Sequence, residues 1–130
     1  MAVTGGTVLL SDKKMNMRQQ EHTMQVMAVY WFRYQYPECL LLAVPNGGQR
    51  NKIVAAKMKA EGVLAGTPDI FIPEPRNGFH GLWIEFKFGK NKLTDSQSYV
   101  IGKLRKNGYR CEVCYSLEEF LTIVDNYLKI

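Results

Sequence analysis

Long hydrophobic runs are missing from this chain of 130 residues. The strongest, Cys39 to Val44, is far short of the roughly 20 apolar residues that span a bilayer, so no transmembrane helix is expected. The amino terminus, MAVTGGTVLLSDKK, has no basic stretch ahead of its few apolar residues, which argues against a signal peptide and for the cytoplasm. Cysteine is scarce as well: Cys39, Cys111 and Cys114 are the only ones. The last two form a C-x-x-C, but there is no second such pair, and in a strand residues three apart face opposite sides of the sheet. Buried, inert thiols in a reducing compartment are expected instead. The two histidines, His22 and His80, stand alone, without the spacing of a ligand set or a triad. Internal repeats, linkers and low-complexity stretches are also lacking. With 46% hydrophobic and 22% charged residues, the composition is that of a globular domain. Its length is sufficient to bury roughly two thirds of the unfolded surface.

Acidic side chains are outnumbered, and unevenly. The net charge of +5 divides into +1 over residues 1–40, +7 over 41–110 and −3 over 111–130. A basic middle beside an acidic tail implies one cationic face, which favours a polyanion such as nucleic acid.

Periodicity and punctuation place the elements. Residues 1–15, rich in Gly and Thr, read as an arm, and 16–130 as a single domain. Asn16 with Gln19 has the spacing of a helix cap, and Met17, Met24, Ala28, Trp31 and Gln35 recur at helical intervals up to Pro37. Cys39 to Val44 reads as a buried strand followed by a turn at Pro45-Asn46-Gly47-Gly48. Gln49 to Glu61 reads as a basic helix with Ile53, Ala56 and Ala60 on one side and Gly62 as its stop. Asp69 to Pro73 and Leu82 to Phe88 resemble a hairpin with a long loop. Thr94 with Gln97, and Ser116 with Glu119, have capping-box spacing and open two more helices around the strand Arg110 to Tyr115. The order α-β-α-β-β-α-β-α predicts an α/β fold, a central mixed β-sheet flanked by helices.

The segment Leu82 to Phe88 carries the chemistry. Alternation sets Ile84, Phe86 and Phe88 on one face and Trp83, Glu85 and Lys87 on the other. An exposed strand face is one reading. The other is a site, because pairing with the strand that begins at Asp69 lets Asp69 lie beside Glu85. Two converging carboxylates repel unless a cation separates them, and a hard divalent ion such as Mg2+ suits oxygen ligands. Lys87, one pleat along, would face the same point, an arrangement fit for phosphodiester hydrolysis. Glu21 lies in the apolar register of the first helix and admits two readings, a structural salt-bridge partner or a third site carboxylate. Gln97 is similarly double, with its cap position a sufficient explanation.

Pro68-Asp69 followed by Glu85-Phe86-Lys87 resembles the P-D…(D/E)-x-K signature of the restriction-endonuclease-like nucleases. The words around it are more specific: Val44-Pro45-Asn46-Gly47-Gly48, Lys59-Ala60-Glu61-Gly62, Gly66-Thr67-Pro68-Asp69-Ile70, His80-Gly81-Leu82, Leu93-Thr94, Gln97, Gly108-Tyr109 and Cys114-Tyr115. In order and spacing these resemble the VRR-NUC family over about residues 18 to 128. The resemblance implies a Mg2+- or Mn2+-dependent site with Asp69 and Glu85 as metal ligands and Lys87 as the catalytic lysine. It also implies a metal-site role for Glu21, a site role for Gln97, and a contribution from Phe86 through its carbonyl. Small stand-alone members, typical of bacteriophages and bacteria, look similar to Holliday-junction resolvases, which act as dimers on branched DNA.

The expectation is therefore a metal-dependent, homodimeric DNA endonuclease that reads shape. Asn46, Arg50, Lys52, Lys57, Lys90, Lys92 and Lys103 are the expected phosphate contacts. The competing expectations are a noncatalytic nucleic-acid-binding module of the same fold and an exonuclease or RNA-processing nuclease.

Overall fold

The computed structural model describes residues 15–45 and 51–129. The expected arm, apart from Met15, and the turn after Pro45 lie outside those residues. Helix α1 spans Met17–Gln35 and opens on a complete capping box. The Gln19 amide donates to Asn16 Oδ1 at 2.8 Å and the Asn16 amide to Gln19 Oε1 at 2.9 Å, which satisfies two amides that a helix start leaves free. Met24, Ala28 and Phe32, four residues apart, are its buried stripe.

The sheet has four strands in the order β1 (Leu42–Ala43), β2 (Ile70–Ile72), β3 (Leu82–Phe86) and β4 (Arg110–Cys114). The first two pairings are antiparallel and β3–β4 is parallel. The parallel pair needs a crossover, and helix α3 (Asp95–Lys106) supplies it. Helix α2 (Lys52–Ala60) lies between β1 and β2 in sequence, and α4 (Leu117–Leu128) closes the chain. The element order and the mixed, helix-flanked sheet are as the sequence predicts.

Inward residues of β2 and β3, among them Ile70, Ile72, Ile84 and Phe86, meet Phe32 of α1 and Phe120, Val124 and Tyr127 of α4 in one core. Tyr127, fully buried, donates its hydroxyl to the Glu74 carbonyl at 2.7 Å, so its polar end is satisfied inside the protein. Tyr36, just after α1, donates its hydroxyl to Asp125 of α4, tying the two helices together at their far ends. Among the described residues no helix is long and apolar enough to cross a membrane.

Three sequence expectations need correction. The Cys39 to Val44 run is not a buried strand: only Leu42 and Ala43 pair, and both are exposed, because β1 is the sheet edge and no described element covers it. Helix α2 begins at Lys52, capped by Asn51, and buries nothing; Ile53, expected on its inner side, is 81% exposed. A helical apolar period marks a face but does not supply a partner for it. At Ser116 the capping box is only half made: the Ser116 hydroxyl accepts from the Glu119 amide, but Glu119 reaches back to the Tyr115 amide, one residue early.

The thiols behave as expected. Cys111 and Cys114 are free and buried, and burial pushes them up to about 11 and about 12. Cys39 is free and half-buried.

Candidate active site

The hairpin register decides where the acids meet. Ile70 pairs with Ile84, so one step outward along the same register sets Asp69 against Glu85. Asp69 leaves the strand but stays attached to it: its Oδ2 accepts the Phe86 amide at 2.7 Å, and its carbonyl accepts the Val44 amide at 2.8 Å. Glu85 is 4% exposed and Lys87 5% exposed, and these two are the buried charged residues among those described. The exposed-face reading of Glu85 and Lys87 is thereby excluded. Lys87 continues the parallel ladder through its amide to the Cys114 carbonyl, which holds its side chain on the Glu85 face. Its Nζ lies 3.9 Å from Glu85 Oε2.

The turn before Asp69 is fitted to the helix that follows the lysine strand. Gly66 has φ +93°, and a Cβ there would lie 2.4 Å from the Ser96 carbonyl oxygen and 2.9 Å from the Gln97 nitrogen. Only glycine lets this turn approach the first turn of α3 so closely. Gln97 performs both roles weighed for it in the sequence. Its Oε1 accepts the Thr94 amide at 2.9 Å, completing the α3 cap, while its Nε2 donates to Glu85 Oε2 at 3.0 Å. A capping glutamine thus becomes the clamp on a buried carboxylate.

Glu21 comes from the other side, one turn into α1, and makes no salt bridge among the described residues. Its Oε2 accepts the Phe88 amide at 3.1 Å and Asn91 Nδ2 at 2.7 Å. Glu21, Asp69, Glu85, Lys87, Asn91 and Gln97 line one cleft of about 890 Å³. Asn91 is the site residue that sequence reasoning missed. It sits in the Gly89–Lys92 loop, where no periodicity marks it, and it is pinned in turn by the Tyr115 hydroxyl, which donates to its carbonyl at 3.1 Å. His22 and Arg18, one residue after and three before Glu21, also line the cleft.

The electrostatics are those of acids held together without enough compensation. Burial raises Glu85 to about 8, with repulsion from Asp69 and Glu21 adding and Lys87 and the Asp69 backbone amide opposing. Burial raises Asp69 to about 6, opposed by the Phe86 amide and Lys87 and reinforced by Glu21. Glu85 Oε1 is buried with no hydrogen-bond partner, a condition shared only with Trp83 Nε1 among the described residues. A buried carboxylate oxygen without a donor is costly, and it is an open position for a cation.

Among the described residues no three His, Cys, Asp or Glu side chains are close enough to hold an ion by themselves. Mg2+ does not require that. It keeps several waters and takes one or two carboxylates, which Asp69 and the free oxygen of Glu85 fit, with the carbonyl of Phe86, the residue after Glu85, as a further hard donor. Glu21, held by Phe88 and Asn91, forms the opposite wall.

The expected phosphate contacts are less concentrated than the charge count suggested. Asn46 and Arg50 lie outside the described residues. Lys52 and Lys57 are exposed on α2, and Lys90 and Lys92 are exposed in the loop that carries Asn91, but none of the four lines the cleft. Lys103 projects from α3 with its Nζ 5.7 Å from the Tyr99 ring centre. Among the described residues, the cationic side chains that do line the cleft are Arg18 and Lys87.

Comparison with known proteins agrees with this fold. The family model described as the VRR-NUC domain matches residues 14–118. A solved VRR_NUC domain protein is similar at 28% identity with a TM-score of 0.69, over 83% of this chain and 87% of that one. No curated protein matches.

Proposed function

The chain belongs to the VRR-NUC domain family, a nuclease-type family, and from that premise we propose that it is a Mg2+- or Mn2+-dependent DNA endonuclease selective for branched structures, Holliday junctions among them. The observation that carries the reading is half-buried Asp69 beside buried Glu85, with a donorless Glu85 oxygen and the buried Lys87 ammonium group 3.9 Å from the other. Such a set costs stability, and a module that only bound nucleic acid would have no use for it.

The residues divide the work. Asp69 is oriented by the Phe86 amide and Glu85 by Gln97, so both carboxylates present fixed oxygens to a metal. When bound, the divalent ion supplies Lewis-acid activation of the scissile phosphate and acidifies a water. Lys87, buried and next to Glu85, positions the attacking water and offsets the negative charge that grows on the phosphate oxygens. Glu21, held by the Phe88 amide and Asn91, forms the far wall of the cleft and offers its carboxylate to the metal's waters rather than to the phosphate backbone.

Arg18 at the cleft, and the exposed Lys90 and Lys92 of the loop that carries Asn91, support backbone tracking rather than base readout. Homodimerisation is part of the proposal, supported by the exposed apolar side chains Ile53 of α2, Leu64 just after it and Tyr99 of α3, at 81%, 59% and 64% exposure. The free thiols fit a reducing compartment, and the cytoplasm of a bacterium, or of a phage's host, is the proposed place of action.

Four-way, flap and linear DNA incubated with the protein in Mg2+ or in EDTA provide the test. Cutting of branched substrates that needs Mg2+ and disappears in Asp69→Asn is expected. Absence of cutting on every substrate would overturn the nuclease reading. Stepwise loss from linear ends, or cleavage of RNA alone, would replace it with the exonuclease or RNA-processing alternative.

A further inference from the structure

Helix α1 uses one face for the core and one end for the cleft, and its remaining face is unlike ordinary helix surface. His22, Val26, Tyr30 and Tyr34 recur at intervals of four and therefore form a slowly winding stripe. Tyr30 is 80% exposed and Tyr34 85%, the largest exposures of any aromatic residues described, and Val26 is 48% exposed. With Gln25 and Arg33 these residues line a groove of about 840 Å³. The groove is continuous with the cleft, because His22 and Gln25 line both.

Charge indicates which kind of partner suits it. Over Met17–Gln35 the basic residues are Arg18 and Arg33, and the single carboxylate, Glu21, is turned into the cleft and hydrogen-bonded there. The exposed face thus carries aromatic rings and positive charge without a carboxylate. That combination suits bases and phosphates together, since each ring accepts a base face and each guanidinium a phosphate. Tyr30 and Tyr34 are about 6 Å apart along the helix axis. This is roughly twice the 3.4 Å rise per nucleotide of a stacked strand, which leaves room for a base between the two rings.

We propose that the α1 stripe is a stacking track for unpaired nucleotides, receiving the single-stranded arm of a branched substrate as it leaves the cleft. A duplex keeps its base faces inside the stack and offers little to these rings, so the track would recognise unpaired DNA and ignore a continuous helix. The inference rests on the nuclease reading, which places the reacting phosphate at the adjoining cleft.

The experiment is equilibrium binding in EDTA, by fluorescence anisotropy, of a flap with a single-stranded arm and of a blunt duplex of equal length. Wild type, Y30A/Y34A and Y30F/Y34F are compared. Wild type should prefer the flap. The alanine pair should lose about five-fold or more per ring on the flap and little on the duplex, because base stacking on an aromatic ring is worth on the order of 1–3 kcal/mol. The phenylalanine pair keeps both rings and should bind as wild type. Equal loss on both substrates, no preference in wild type, or failure of the phenylalanine pair would overturn the proposal. So would a halving of the mass of Y30A/Y34A in light scattering, which would assign the face to a second copy of the chain. Wild-type cleavage in Mg2+, measured in parallel, tests the nuclease reading separately, since binding in EDTA does not depend on it.

Discussion

Replacing Glu85 by glutamine should make the metal-free protein more stable while removing its response to Mg2+. The ordinary value for a glutamate is 4.5, and burial together with Asp69 and Glu21 pushes Glu85 up to about 8. Between those values the folded chain holds a proton that the unfolded chain has released. The unfolded state then binds fewer protons, so the stability of the metal-free protein is highest below the lower value and is lost as pH rises toward the upper one. At about pH 7 the imposed cost is on the order of 3 kcal/mol. Glutamine has the same shape, does not titrate, and retains a carbonyl to accept Gln97 Nε2. Part of the gain is offset because the glutamine amide nitrogen takes the place of the partnerless Glu85 Oε1 and finds no acceptor there. A net gain of about 2 kcal/mol is therefore expected at neutral pH.

Thermal unfolding in EDTA reads this directly. With an unfolding entropy of roughly 2.1 cal/mol/K per residue, about 2 kcal/mol corresponds to a rise of roughly 7 °C in melting temperature. The wild-type melting temperature should fall between about pH 5 and about pH 8, while that of Glu85→Gln should change much less, its remaining slope coming from Asp69. Added Mg2+ should raise the wild-type value, because an ion that binds only the folded state stabilises it. It should leave the variant unmoved. A variant less stable than wild type in EDTA, or one still stabilised by Mg2+, would refute the claim that Glu85 is an under-compensated metal ligand.

Four other expectations can be checked independently. Lys87→Met should reduce turnover on branched DNA by on the order of a hundred-fold or more, yet keep the Mg2+-dependent rise in melting temperature, since the carboxylates remain. Gly66→Ala should lower the denaturant midpoint by the equivalent of about 2 kcal/mol or more, because φ is +93° and the new Cβ would meet the Ser96 carbonyl oxygen at 2.4 Å. Thr94→Ala and Gln97→Ala should each cost about 1 kcal/mol of stability through the cap, but only Gln97→Ala should also depress cleavage, because only Gln97 donates to Glu85. A thiol reagent at neutral pH should label Cys39 well before Cys111 and Cys114, which are buried and raised to about 11 and about 12; rapid labelling of all three would mean that β4 opens readily.

Much of the fold was legible because its signals are local. Asn16 and Gln19, three residues apart, are sufficient to cap α1, and Met24, Ala28 and Phe32 mark its inner stripe without reference to the rest of the chain. The alternation in β3 and the two apolar runs of the hairpin carry their own register, and Asp69 beside Glu85 follows from it. Local signals failed where the outcome depended on what lies above a surface. Cys39 to Val44 has the composition of a core strand, but it lies at an edge; Ile53 has a helical partner pattern and no partner.

The site itself shows the same division. Its acid, acid and lysine spacing is set within two strands, so sequence alone determined which residues share one face. Whether that face is wet or buried is a property of packing, and tertiary structure decided it by covering Glu85 and Lys87 to 4% and 5% exposure. Glu21 could have served as a salt-bridge partner, and Gln97 only as a cap. Contacts across 67 and 12 residues of chain instead turned one toward Phe88 and the other onto Glu85. Hydrogen bonding between distant segments depends on where whole helices dock, and side-chain order along the chain carries no record of that distance. The basic middle of the sequence pointed to a polyanion, but only the fold determined that, among the described residues, Arg18 and Lys87 rather than the lysines of α2 stand at the cleft.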